Sequence, residues 1–247
     1  MIISEIYDTI DKKSKIRKDL LMGKKKNAWL SPKKQEELDQ KLKKENKMRI
    51  IKIVAIAVVA AILVAALVTT IVVASRPYYA TIEIENYGTI VVKLNKGEAP
   101  ITVKNFVNLA ESGFYDGLTF HRIIEGFMMQ GGCPKGDGTG DSGTDIKGEF
   151  SKNGVNNTIS HTRGVISMAR GGGYPEEDYY NTGSCQFFIV HKDSPHLDGQ
   201  YAAFGHVISG MEIVDKICTE AKPTDNNGTI PKAAQPIIKT ITISRSK

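Results

Sequence analysis

Residues 78–247 are expected to form a mainly β domain, a closed antiparallel barrel with a helix at each opening, preceded by one membrane-crossing helix. Three observations predict this. Between residues 118 and 209 short apolar runs alternate with Gly-rich turns, the pattern of sequential antiparallel strands. Only two stretches of the domain carry helical spacing, and strand patterns stand at both its ends. Ahead of it, Ile53 to Ala74 is 22 residues without a charge, nearly all Ile, Val, Ala and Leu.

The first segment, 1–49, is polar. Residues 1–52 hold 16 Lys and Arg against 8 Asp and Glu, which leaves 17 of the 33 basic and 19 of the 27 acidic residues for everything after. The basic excess therefore belongs to this segment and not to the domain. Its composition offers too little apolar surface for a core, so a charged cytoplasmic tail is expected. Ser31-Pro32 reads as a helix start, since Pro fits the first helical position. A solvated or membrane-surface helix over 33–48 follows from it. Nucleic acid is not expected as a partner, because membrane topology already accounts for the charge.

Residues 50–75 are expected as a transmembrane signal-anchor helix. At about 1.5 Å per residue the uncharged run reaches about 33 Å, enough for a hydrocarbon core of about 30 Å. Val72-Val73-Ala74 before Ser75 loosely fits a signal-peptide cleavage site, but the length of the run and the long tail before it favour an uncleaved anchor. Lys43, Lys44, Lys47, Arg49 and Lys52 flank the run on one side and only Arg76 closely on the other. The positive-inside bias then leaves the tail in the cytoplasm and residues 78–247 outside.

Within the domain, Ile82 and Ile84, then Ile90, Val92 and Leu94, alternate with polar residues around Asn86-Tyr87-Gly88, a hairpin. Pro100 begins a helix with Val103, Phe106, Val107 and Ala110 on one face and Gly113 as its stop. A second helix starts near Gly210, with Ile213, Val214 and Ile217 on one face, and a last strand is expected to bury Ile237, Ile241 and Ile243 on one side. Cys133, Cys185 and Cys218 are odd in number and lack metal-ligand spacing, so three unpaired thiols are expected.

The stretch Phe120-His121-Arg122-Ile123-Ile124-Glu125-Gly126-Phe127-Met128-Met129-Gln130-Gly131-Gly132 carries the chemistry. It sets a permanent cation among large apolar side chains, with an amide eight residues on. A guanidinium at the rim of an apolar pocket suits a neutral, polarisable substrate such as a peptide bond. The stretch resembles the signature of the cyclophilin-type peptidyl-prolyl cis-trans isomerases. The resemblance spans roughly Tyr79 to Ser244 and continues, in the family's order, through 157–169, 186–190 and 197–205. It implies an eight-stranded antiparallel barrel capped by two helices, in agreement with the pattern above.

The resemblance also implies roles. Arg122 would be the catalytic residue, supported by Gln130. Phe127, Met128, Phe188 and Leu197 match the proline pocket, whereas Phe187 is sent by strand alternation to the core. Gln186, with Gln130, matches residues that bond the substrate backbone or hold the Arg. Ala169 and Arg170 match the strand beside the bound peptide. Three positions depart from the common pattern. His196 stands where many members have Trp, and weakened binding of the inhibitor cyclosporin is expected from it. Tyr201 stands where a His often lines the pocket. Arg170 stands where an Asn is common, and a preference for acidic residues beside the substrate proline is expected from it. Gly171 to Thr182 is longer than the family's usual loop, which makes it either a substrate-selecting element or a solvated bystander.

His121 and His161 are expected in the core or behind the site. The loop 136–143 lacks the Gly-Lys-Ser/Thr ending of a phosphate loop and the frame of a calcium loop, so neither ligand is expected there. No cofactor or metal is expected. The partners are Pro-containing segments of unfolded or secreted proteins and, through residues 53–74, the lipid bilayer. The function expected is X-Pro isomerisation in extracytoplasmic protein folding. The alternatives are a membrane-tethered chaperone for Pro-containing segments with little turnover, or a structural membrane protein with a vestigial barrel.

Overall fold

A computed structural model describes residues 31–245, which fall into two compact units divided between Ala74 and Ser75. Most of the expected tail, residues 1–30, lies outside the described residues.

Helix α1, Pro32–Ser75, accounts for nearly all the described residues of the first unit and ends one residue into the second. Its first turn is closed by Lys34 N and Gln35 N, which donate to Ser31 O at 2.9 and 3.2 Å. No Gly or Pro interrupts 33–75, so the polar and apolar portions share one continuous helix, with no structural break near residue 49. It stops before Arg76-Pro77, because the residue preceding a proline is driven out of the helical region. The helix is long and apolar enough to cross a membrane. The described large apolar side chains from Met48 to Val68 are exposed, and Thr69 and Thr70 both return their hydroxyls to Ala66 O at 2.8 Å, which satisfies both donors within the helix.

The second unit is a curled sheet of eight antiparallel strands: β1 Tyr78–Ile84, β2 Gly88–Leu94, β3 Thr119–Ile124, β4 Met128–Cys133, β5 Val165–Met168, β6 Phe187–Val190, β7 Ala202–Ser209 and β8 Ile238–Ser244. Their order is β3-β4-β6-β5-β7-β2-β1-β8. The end strands share no ladder. They are tied at one corner, where Thr119 bridges Ile237, Phe120 N donates to Pro236 O and Ile238 N donates to Leu118 O. The complete closure expected from the sequence is thus replaced by an open, curled sheet.

Helix α2, Pro100–Glu111, packs on β7 and β8, and helix α3, Met211–Glu220, packs on β2 and β4. After α2 the chain turns at Gly113, whose N–H bonds Ala110 O while Phe114 N bonds Leu109 O, a paired closure of the helix end. The hairpin forms in the expected register, with Ile82 opposite Ile90. The last strand departs from expectation. Opposite Glu83 and Ile84 a bulge skips Lys239, so Ile238 and Ile241 are buried while Ile237 is 39% exposed. A one-residue slip of this kind exchanges the faces of a strand.

The concave side of the sheet holds the main core. Phe106 of α2 lies 5.2–5.5 Å, ring centre to ring centre, from Tyr115, Phe187 and Phe204, and Phe187 meets Phe120 edge-on at 5.9 Å. Cys133, Cys185 and Cys218 are buried and unbridged, and burial pushes the thiols of Cys185 and Cys218 up to about 12. The convex side carries a second apolar cluster built on Met128, Val165, Phe188, Val190, Leu197 and Ala203.

Candidate active site

Strand alternation builds the site. On β4, Met129 turns into the core while Met128 and Gln130 turn outward; on β6, Phe187 turns inward and Phe188 outward. Antiparallel pairing sets Gln130 opposite both Arg122 of β3 and Phe188 of β6. The result is a pocket of about 140 Å³ on the convex face, with Phe188, Met128, Leu197 and Phe127 as its apolar wall. Arg122, Gln130, Ala169, Arg170 and Tyr201 complete the rim.

Arg122 is held at several atoms. Its Nε donates to Asn227 O at 2.7 Å; its Nη1 lies 3.4 Å from Gln130 Oε1 and 3.8 Å from Met128 Sδ. Its guanidinium carbon is 5.9 Å from the centre of the Phe127 ring. Nη2 has no hydrogen-bond partner among the described residues. Burial lowers the pKa of this guanidinium from its ordinary 12.5, with Tyr201 and Asp225 opposing, and the group stays charged across the physiological range.

The amides are oriented by a directional chain. Gln186 Nε2 donates to Gly138 O and Gly140 O at 2.9 and 2.8 Å, which turns its Oε1 toward Gln130 Nε2 at 3.0 Å. Gln130 in turn offers Oε1 to Arg122. Because carbonyls can only accept, the two glycine carbonyls fix the direction of both amides. Gln186 thus acts from behind Gln130 rather than lining the pocket.

Sequence reading missed the anchor of Arg122. Asn227 lies 105 residues away in a loop with no motif. Gly228, at φ +87°, lets that loop lie against β3: a Cβ there would come within 2.8 Å of Ile123 O, and Ile123 N donates to Gly228 O. Asp225 Oδ1 accepts from Thr229 N at 3.0 Å and ties the ends of the turn that carries Asn227.

The remaining residues take different places. His196 sits exposed on a 3₁₀ turn, Pro195–Leu197, its ring 5.4 Å from that of Phe127 at the pocket's edge. Tyr201 meets Phe188 edge-on at 5.7 Å. His161 is buried beneath Phe188, stacked at 6.1 Å, with Nδ1 on Asp198 at 2.9 Å and Nε2 on Ser167 Oγ at 3.0 Å. His121 is buried beside Arg122; desolvation lowers its pKa to about 4, and its Nδ1 has no hydrogen-bond partner among the described residues. Neither histidine reaches the pocket.

Arg170 overturns one expectation. Its side chain is only 5% exposed, and Nε, Nη1 and Nη2 all donate within the domain, to Gln200 O, Gly171 O and Glu176 Oε1. With three of its five N–H donors committed and its side chain nearly buried, the guanidinium is held within the domain and is not presented to acidic residues of a substrate.

The site thus sets a positively charged fork over a small apolar pocket on a curled eight-stranded sheet. The family model of the cyclophilin type peptidyl-prolyl cis-trans isomerase/CLD matches residues 79–245, and the chain belongs to that family. It is a peptidyl-prolyl cis-trans isomerase. A peptidyl-prolyl cis-trans isomerase of Helicobacter pylori is 48% identical over 141 residues, covering 56% of this chain and 79% of that protein. Peptidyl-prolyl cis-trans isomerase B of Bacillus subtilis is 48% identical over 129 residues, covering 52% and 82%. Among solved structures, a cyclophilin type isomerase of Cryptosporidium parvum, crystallised in the presence of the dipeptide Ala-Pro, matches at a TM-score of 0.58 and 31% identity, covering 68% of this chain and 99% of its own.

Proposed function

We propose that the convex pocket seats the proline ring of a substrate and that Arg122 accelerates rotation of the preceding peptide bond. Twisting an X-Pro bond breaks amide resonance, a barrier of about 18–20 kcal/mol, and returns a lone pair to the prolyl nitrogen. A donor that meets this nitrogen only in the twisted state stabilises the transition state without stabilising the substrate. The observation that carries this reading is the arrangement of Arg122: Nε and Nη1 are fixed by Asn227 and Gln130, and the fork stands on the rim of a pocket whose wall is Phe127, Met128, Phe188 and Leu197. Gln130, aimed by Gln186, holds the guanidinium and offers its amide to the substrate backbone. Ala169 and Arg170 present the adjoining strand edge, with Tyr201 as the far wall and His196 at the entrance. An exposed imidazole gives cyclosporin less surface than an indole would, so inhibition is weakened while turnover is kept.

In this reading α1 is a membrane anchor whose basic flank stays cytoplasmic, and the isomerase domain acts on proteins folding outside the membrane. Its support is the length and apolarity of the helix and the charge asymmetry around it. The test of the mechanism is isomerisation of a short Ala-Pro peptide by the full chain in detergent, wild type beside Arg122→Ala. Fast turnover that falls about 10²–10³-fold in a folded variant is expected; equal turnover in both removes Arg122 from the mechanism. For orientation, protease added to intact cells should remove the domain and spare the tail; a protected domain overturns that placement.

A further inference from the structure

The insertion 171–182 is packed, not loose, and one residue ties it to the pocket. Tyr179 lies against the backbone of the loop: a Cβ at Gly173 would come within 2.4 Å of the Tyr179 ring, so a larger residue there would have to displace the ring. Thr182 Oγ1 receives Gly171 N at 2.8 Å and donates to Tyr179 O at 2.9 Å, which closes the loop at its base. Inside it, Arg170 runs through a box of three rings, with its guanidinium carbon 4.8 Å from Tyr201, 5.3 Å from Tyr180 and 5.6 Å from Phe150. Its Nη2 reaches Glu176 of the insertion at 2.7 Å, and its Nε reaches Gln200 O at 3.0 Å.

Gln200 and Tyr201 belong to the segment that also supplies Leu197 and His196. Gln200 Nε2 donates to His196 O at 2.6 Å, and Gln200 N to Leu197 O at 3.1 Å. Lys152 reinforces the same connection, with Nζ on Gln200 Oε1 at 2.9 Å and on Glu176 Oε2 at 3.4 Å. One face of the Tyr201 ring therefore meets a buried cation held by the insertion, while the ring itself stands edge-on to Phe188 in the pocket. We propose that Arg170 is a positioning residue that latches the insertion to the 196–201 wall of the proline pocket, so that Glu176, which does not line the pocket, sets affinity for the substrate proline through Arg170 and Tyr201.

The fork is what the role requires. A lysine would offer one centre of charge, whereas the guanidinium bonds a carbonyl and a carboxylate in different directions and still stacks on aromatic faces. The latch rests on the pocket assignment made above. Its test is exchange NMR of an Ala-Pro peptide with the full chain in detergent, which separates KM from kcat, on Glu176→Ala, Arg170→Met and the double variant. Met keeps the apolar stem among the rings and removes the donors, and thermal melts check each fold.

Expected is a KM raised roughly threefold or more by Glu176→Ala at nearly unchanged kcat, a larger rise in Arg170→Met, and no further rise when the two are combined. Lys152→Ala, which leaves the Arg170–Glu176 pair in place, should shift KM less than Glu176→Ala. Wild-type KM in Glu176→Ala, equal factors for Glu176→Ala in both backgrounds, or a fall in kcat alone would each overturn the latch. A wild type without saturable turnover would remove the pocket assignment first, and the latch with it.

Discussion

Phe187 and Phe188 are neighbours in the chain, equally apolar and nearly equally buried, at 0% and 4% exposure, yet they belong to regions with opposite purposes. Phe187 faces the concave core, where the rings of Phe106, Tyr115 and Phe120 meet it edge-on. Phe188 faces the convex cluster, where Tyr201 and His161 hold its ring and a pocket opens beside it. Met129 and Met128 divide in the same way on the next strand. Burial alone does not distinguish a core from a binding site. What differs is whether a cation and oriented amides stand at the edge and whether space is left unfilled.

The sharpest way to break this comparison is to truncate both phenylalanines. Phe187→Ala should cost about 3–5 kcal/mol of stability, read from urea midpoints, because a close-packed ring cluster cannot collapse into the cavity. Phe188→Ala should cost less, because its site already opens to water, but should weaken binding of an Ala-Pro peptide about tenfold or more, roughly 1.4 kcal/mol. If the two variants lose stability equally and bind equally, the division between core and pocket is wrong.

Acid tests the same divide from the side of the buried histidines. His121 is held neutral with a pKa lowered to about 4, whereas in the unfolded chain it titrates near 6.5. The unfolded state therefore takes the proton first. This share of stability is complete above about pH 6.5 and is lost as pH falls toward about 4, by about 1.4 kcal/mol per unit or roughly 3 kcal/mol in all. His161, also lowered chiefly by burial, adds in the same direction. Urea midpoints from about pH 7 to 4 should show the slope, and His121→Gln should flatten it; an unchanged slope would place the acid sensitivity elsewhere. Turnover should stay nearly level from about pH 6 to 9, since Arg122 does not titrate there. A bell-shaped profile would shift the chemistry toward His196 or Tyr201.

The smallest effect belongs to the insertion's tip. Tyr174 is 97% exposed, so Tyr174→Ala should change stability by less than about 0.5 kcal/mol. A larger loss, measured by thermal melts, would mean that the ring packs against something in solution.

Much of this was legible in the chain itself because it depends on local periodicity. Alternation separated Phe187 from Phe188, the 3.6-residue spacing placed Val103, Phe106, Val107 and Ala110 on the buried face of α2, and an uncharged run marked the apolar helix. The sequence by itself also determined which residue types are available to the site, including a cation that cannot lose its charge. Only the tertiary structure decided what those residues are bonded to. The bulge that exposes Ile237 depends on how β8 meets β1, the anchor of Arg122 comes from Asn227 far along the chain, and Arg170 spends its donors on Gln200, Gly171 and Glu176. These are contacts between segments distant in sequence, where loop geometry and the competition for buried hydrogen bonds choose the partner, and neither leaves a periodic trace.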